Sequence, residues 1–286
     1  GTIDNGDPRS TEPLNVAWMT ELFTRSAELL RYSNSGWQST DVQRFSGMLH
    51  NAFIPVIQGA IDCPGNNGVM HLANWRTSMA DSFMATGVFT DNRDMFNKGV
   101  SYWKQWVPQM IYISGVNDNL FTNGKNKLYA TQDVFWYAVK DFGPSDSGIT
   151  AETCRDTTHM QMGLASLFDG AEIAYNQGVD LYGQYQNYLV PAMEYNTDLF
   201  VRTMNGQIHP TTVWPDWPCA NSPDKTSYGG NGWFYDGIGT FDIAYNHYAQ
   251  RGVSLPSTQS FLKRMRPTGI GLQMTWETLT HATGDL

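Results

Sequence analysis

Charge is scarce in this chain. Asp, Glu, Lys and Arg make up 16% of its 286 residues, against about 25% in ordinary globular proteins. Basic residues are the scarcer sign: 18 Lys and Arg face 27 Asp and Glu, the net charge is −9, and the longest basic cluster is FLKRMR at 261–266. Nucleic-acid binding needs a positive footprint, so that class is excluded. An acidic chain can still act on a polyanion by gathering a few cations in one cleft. No apolar run approaches the ~18 residues of a membrane span, and no membrane partner is expected. The three cysteines, Cys63, Cys154 and Cys219, are too widely spaced for a zinc site of the paired-cysteine kind. They fit one disulfide plus a thiol in a secreted protein, or three buried thiols. The chain opens GTIDNGDPRS, with neither Met nor a signal sequence, and so reads as a processed or trimmed product.

What the chain does have is apolar and aromatic. Hydrophobic residues reach 41% and aromatics 13%, with 10 Trp. That composition suits an extracellular protein that meets carbohydrate, and equally a large ordinary core. Helical apolar spacing runs through 13–33, 40–60, 74–88, 92–111, 130–141, 156–177 and 181–203, then 240–251, 257–264 and 271–282. Clear period-two strands are absent. Ten or so helices on short connections predict one all-α domain over 1–286, built from antiparallel neighbours. One stretch breaks the order. Residues 205–239 are rich in Gly and Pro and carry Trp214, Trp217, Tyr228, Trp233 and Tyr235. A long aromatic connection of this kind is predicted to be an ordered loop lying across a cleft.

The stretch ETCRDTTHMQMGLASLFDGAEIAYNQGVDLY, 152–182, combines two kinds of residue. Met160, Leu164, Leu167, Ala171 and Ala174 form the stripe of a packed helix. Arg155 and His159, four apart, share one face at its start. They are either a solvated helix terminus, with Asp156 favouring the positive end, or functional groups. Asn74, opening the helix of ANWRTSMADSF, is either a helix cap or a functional amide.

RDTTHMQMGLA, AEIAYNQGVDLY, the upstream ANW with MATGVFTDNRDMFNKGVSYW, and the downstream FDIAYNHYAQRG together resemble the alginate lyase family of polysaccharide lyases. The resemblance runs from about Gly36 to the closing WETLTHA. It implies an incomplete (α/α) toroid of antiparallel helix pairs with a cleft at one end. The implied reaction is β-elimination on a 1,4-linked polyuronate, either glucuronan or alginate/polymannuronate. Donors neutralise the uronate carboxylate so that the C5 proton can leave, a base takes that proton, and an acid protonates O4. The implied catalytic residues are Asn74, Arg155 and His159. A tyrosine is expected near the FDIAYNHY helix, where Phe241 stands; Tyr235 is favoured, with Tyr228 and Tyr245 behind it. Trp75, Arg76, Gln161, Lys225, Tyr228, Trp233 and Tyr245 are expected to bind substrate, Lys225 standing in for an Arg that the family pattern places before that helix. Neither metal nor cofactor is expected, and the protein is expected to be a secreted monomer whose partner is an anionic polysaccharide.

Two rivals accompany this reading. An (α/α)-barrel glycoside hydrolase needs carboxylates about 5–10 Å apart across a sugar, and Glu152 or Asp156 would need Asp133, Asp236 or Asp242 opposite. A non-catalytic carbohydrate binder would use Trp as stacking platforms, although Trp103, Trp106 and Trp136 fall in helical stripes and read as core. Cys219 is expected to pair with Cys63 or Cys154, Cys63–Cys219 being favoured because both lie in Pro-containing loops.

Overall fold

The α-helices follow from the spacing of their apolar residues and from the groups that close their ends. The computed structural model describes residues 11–63, 73–122, 125–126, 142–153, 157–207, 240–267 and 277–282. Among them the helices are α1 (Glu12–Arg31), α2 (Ser39–Met48), α3 (Ile54–Asp62), α4 (Asn74–Phe89), α5 (Arg93–Met110), α6 (Thr157–Asn176), α7 (Leu181–Gln184), α8 (Gln186–Met204), α9 (Asp242–Gln250), α10 (Pro256–Met265) and α11 (Glu277–His281). The all-α prediction holds. The one sheet among the described residues is a pair of two-residue antiparallel strands, β1 (Phe121–Thr122) and β2 (Lys125–Asn126). The predicted helix over 130–141 and nearly all of the aromatic stretch 205–239 lie outside the described residues.

The single predicted helix over 40–60 is interrupted by a π-helical turn, Leu49–Phe53, between α2 and α3. Pro55 follows that turn. Proline brings no N–H and its ring crowds the carbonyl one turn back, and a wider turn relieves both.

α4 is buried almost all round, and its neighbours explain its small polar residues. Trp18 Nε1 donates to Ser78 Oγ at 3.1 Å, and Ser82 Oγ donates to the Ala17 carbonyl at 3.0 Å. On the α6 side Ser78 and Ser166 hydroxyls meet at 2.8 Å. Along α5, Gly87 lies against the Phe96 backbone, and Gly99 lies against Met84 and the Ala80 carbonyl. These contacts fix direction. α5 runs antiparallel to α4, as expected of sequential helices on a short turn. α6 runs parallel to α4, because Asn74, Ser78 and Met84 meet Gly163, Ser166 and Gly170 in that order. α1 runs parallel to α4 as well, Trp18 lying by Ser78 and Arg31 by the Phe89 carbonyl. Sequential neighbours α4 and α5 are antiparallel, and between the parallel helices an intervening segment carries the chain back.

α9 continues the series beside α6, with Phe241 6.0 Å from Phe168 and His247 4.6 Å from Tyr175, ring centre to ring centre. α8 and α10 pair through stacked Phe200 and Phe261, and Glu194 of α8 accepts from the Ser257 and Thr258 N–H groups at 3.0 and 2.9 Å, capping α10. One continuous cluster of buried apolar side chains joins α1 to α10, with Trp103, Phe83, Phe168, Tyr182 and Tyr248 among its largest members.

Candidate functional site

Asn74 is the first residue of α4 rather than its cap. The cap position is Ala73, which has no side chain able to accept a bond and stands at φ 48°, ψ −120°. An L-residue with a Cβ is strained there. The helix's orphan N–H groups need an acceptor from elsewhere, and Glu152 supplies it. Asn74 N donates to Glu152 Oε2 at 3.1 Å, and Asn74 Nδ2 lies 2.9 and 2.8 Å from Oε1 and Oε2. A carboxylate at this end also complements the helix dipole.

The contacts with Glu152 orient the Asn74 amide: the NH2 group must face the carboxylate, since the amide oxygen there would be repelled. Both oxygens of the carboxylate are met by the one amide nitrogen, which pins the plane of the Asn74 side chain. Asn74 is 0% exposed, and its Oδ1 has no hydrogen-bond partner among the described residues. A buried amide oxygen without a partner costs stability, as does the backbone at Ala73. Two local costs at one point are the pattern of a place shaped for something other than stability.

Glu152 is held by a tightly bonded turn. Tyr112 N donates to the Ile149 carbonyl, Gly148 N to the Tyr112 carbonyl and Ala151 N to the Met110 carbonyl, at 3.0, 2.8 and 2.9 Å, so the turn is stitched to the end of α5. Thr153 Oγ1 donates to Asn196 Oδ1 at 2.8 Å, and Asn196 Nδ2 donates to the Gly148 carbonyl at 3.2 Å, adding a tie to α8. Gly148 has φ 102°, and a Cβ on it would come within 2.1 Å of the Pro191 carbonyl oxygen. Only glycine fits. A side chain from the turn before α6 is thereby fixed on the start of α4.

The first turns of α6 close the site. A Cβ on Gly163 would lie 3.6 Å from the Cα and Cβ of Asn74, so the starts of the two parallel helices abut. His159 sits one turn before Gly163 on the same face and is half-buried. Gln161 is buried. Trp75 is half-buried and packs on the core. Arg76 turns toward α5, its Nη1 donating to Gln109 Oε1 at 3.0 Å and its guanidinium lying 5.4 Å from the Trp106 ring centre. Tyr245, 9% exposed, lies in α9. Arg155, Lys225, Tyr228, Trp233 and Tyr235 lie outside the described residues, as do Cys154 and Cys219. Cys63, at the end of α3, carries a free thiol. The favoured Cys63–Cys219 bond is therefore corrected: lying before a candidate catalytic residue does not bring Cys63 to a partner, and the alternative Cys154–Cys219 pair lies outside the described residues.

Glu152 is the residue whose part sequence reasoning missed. In the sequence it stands only as a carboxylate that a hydrolase could use. Nothing in ETCRD signals that its partner is an amide 78 positions earlier; a helix opened by Ala-Asn, with no acidic cap of its own, is the only local hint.

Several described tyrosines are poor bases. Burial pushes the phenols of Tyr182, Tyr188, Tyr195 and Tyr248 upward, whereas a base near neutral pH needs the opposite shift. No protein-family model, curated protein or solved structure matches the chain.

Proposed function

We propose that this chain is a polysaccharide lyase that cleaves a 1,4-linked polyuronate, glucuronan or alginate/polymannuronate, by β-elimination. The observation that carries the reading is the Asn74 amide, oriented by Glu152 at the shared end of two parallel helices, next to the turn bearing His159. A buried amide held at a fixed angle is a donor of the kind that a uronate carboxylate needs as charge moves onto it from C5.

The helix order agrees with an incomplete (α/α) toroid. α1, α4, α6 and α9 form one parallel series, with α2–α3, α5 and α7–α8 returning the chain between them. Inner helices of such a ring start at one end, where a cleft would lie. The continuous core favours a single catalytic domain; the aromatic stretch 205–239, expected over the cleft, lies nearly all outside the described residues.

In this scheme Asn74 and Arg155 hold the substrate carboxylate, and His159 and a tyrosine, Tyr235 first, transfer protons. The C5–H bond breaks, its electrons form the C4–C5 double bond, the C4–O4 bond breaks, and O4 takes a proton. The hydrolase reading loses a member here, because Asp242 is buried, takes Arg266 Nε at 2.7 Å, and accepts from Thr278 Oγ1 at 2.6 Å. A carboxylate so committed is a structural anchor. The reading carries with it extracellular action, a monomer, and an anionic polysaccharide as partner.

The test is a panel of polyuronates followed by ultraviolet absorbance of the C4–C5 double bond. The expected result is absorbing product from at least one polymer, abolished in His159→Ala while the melting temperature Tm stays within a few degrees of the parent. New reducing ends without absorbance would establish hydrolysis instead, and neither signal from any polyuronate would remove the lyase reading.

A further inference from the structure

Deeper in the bundle, along the same three parallel helices, stand three carboxylates with too few partners. Glu21 of α1, Asp81 of α4 and Asp169 of α6 each present an oxygen, and these oxygens all lie within 4.8 Å of one another. Their residues are 0, 0 and 1% exposed. Arg25 reaches one oxygen of Asp169 at 3.1 Å, and Ser166 Oγ lies 3.4 Å from Glu21 Oε1. That leaves Glu21 Oε2, Asp169 Oδ1 and both oxygens of Asp81 without a hydrogen-bond partner among the described residues. Asp81 is the telling member: a wholly buried side chain with no donor at either oxygen among the described residues, set against the Glu21 carboxyl and aimed at the bare oxygens of the other two. Buried charge is tolerated when paired or when it coordinates metal.

Charge supports the same conclusion. Ionised together, the three carboxylates would exceed the one guanidinium by two negative charges, and buried Glu277 adds to the negative field around Asp169. Burial, the largest cause, drives the Asp81 carboxyl up to about 7 and raises those of Glu21 and Asp169 as well. We propose that Glu21, Asp81 and Asp169 bind one hard divalent cation of calcium's size, which ties α1, α4 and α6 together. All-carboxylate oxygen donors select hard cations. Calcium–oxygen bonds of 2.3–2.6 Å allow donor oxygens on opposite sides of the ion to stand about 4.6–5.2 Å apart. The Ser78 and Ser166 hydroxyls, 2.8 Å from each other beside the group, are further oxygen donors. This role is structural and independent of the lyase reading.

The experiment uses the intact chain. Metal content is measured by plasma mass spectrometry after purification, and Tm is measured with excess EGTA, calcium or magnesium. Thermal unfolding opens the site, so even a trapped ion registers. The expected result is about one calcium per chain and a Tm raised by roughly 5–10 °C when calcium exceeds its Kd a hundredfold. Asp81→Asn should lose both. If that variant does not fold, the wild-type metal content and EGTA response decide alone. Substoichiometric metal with a Tm indifferent to EGTA and calcium would overturn the proposal and assign the missing charge to protons shared among the carboxyls. A shift produced by magnesium but not calcium would overturn the size assignment.

Discussion

Replacing Asn74 by Ala separates a structural amide from a functional one, because the structure makes the two expectations differ in size. The substitution removes the Nδ2 contacts at 2.9 and 2.8 Å to Glu152 and keeps the backbone bond at 3.1 Å. The two side-chain contacts run from one nitrogen to one carboxylate and count together as a single bond to a charged group, worth about 1.5–3 kcal/mol. Against this, Oδ1 is buried without a partner among the described residues, and deleting an unsatisfied oxygen returns about 1–2 kcal/mol. Alanine also favours a helix by up to about 0.7 kcal/mol. The net cost is then no more than about 2 kcal/mol, a fall in Tm of no more than ~4–8 °C. Catalysis should respond very differently. Loss of a donor to a developing oxyanion costs about 10²–10³ in kcat. Calorimetry gives the first quantity and initial rates of double-bond formation the second. A Tm loss above ~10 °C would show that Asn74 is an anchor, and turnover within tenfold of the parent would show that it is not the donor.

Three further outcomes follow from the packing and electrostatics. Gly87→Ala gains about 1 kcal/mol of helix propensity but places a methyl 2.4 Å from the Phe96 backbone nitrogen; backbone cannot rotate aside, so denaturant unfolding should show a net loss of about 1–3 kcal/mol. Glu194→Ala removes the acceptor shared by the Ser257 and Thr258 N–H groups and the Thr258 hydroxyl, and the loss of this cap should cost about 1–2 kcal/mol by the same assay. The His247 imidazole, stacked on Tyr182, is held below its ordinary value by burial and then by Arg251, with Glu172 and Asp180 opposing. Above pH ~6.5 the ring is neutral folded or unfolded and contributes nothing; below it the unfolded chain takes the proton first, so stability falls with pH until the folded value is passed. His247→Phe keeps the stacking and should lose less Tm than the parent between pH 7 and 5, while nuclear magnetic resonance titration should place the imidazole of the parent below ~6.5.

How much of this was legible in the sequence depends on the length scale of each signal. The starts of α4 and α6 and the stripe from Met160 to Ala174 depend on neighbours three or four residues apart, and they appear where the spacing put them. The break at Leu49–Phe53 escaped notice because the apolar pattern runs straight through it and only Pro55 marks it. Parallel packing of α1, α4 and α6 is not legible in the residue spacing; only the resemblance to a toroid, whose inner helices start at one end, implied it. It depends on Ser78, Ser82, Gly163 and Gly170 letting three helices approach closely, and each of those residues alone reads as a mild defect in helix propensity.

The polar interior escaped for the same reason, and it shows what the sequence conceals. Glu21, Asp81 and Asp169 each sit in a helical pattern where an isolated acid reads as solvated surface, and only packing turns the three inward toward one point. Asn74 and Glu152 pose the same problem at the helix ends: one looks like a cap, the other like a loop acid, and the bond between them makes neither description right. Both clusters lie along the shared faces of the parallel helices, one at their start and one deeper in. A structural role for the deeper group and a functional role for the outer one are therefore coupled. Whatever fixes α1, α4 and α6 in register also fixes the angle at which α4 presents Asn74 to α6. Stripping the deeper site of its cation should for this reason lower turnover along with Tm, and restoring calcium should recover both in parallel. Recovery of Tm without recovery of turnover would show that the two clusters act separately.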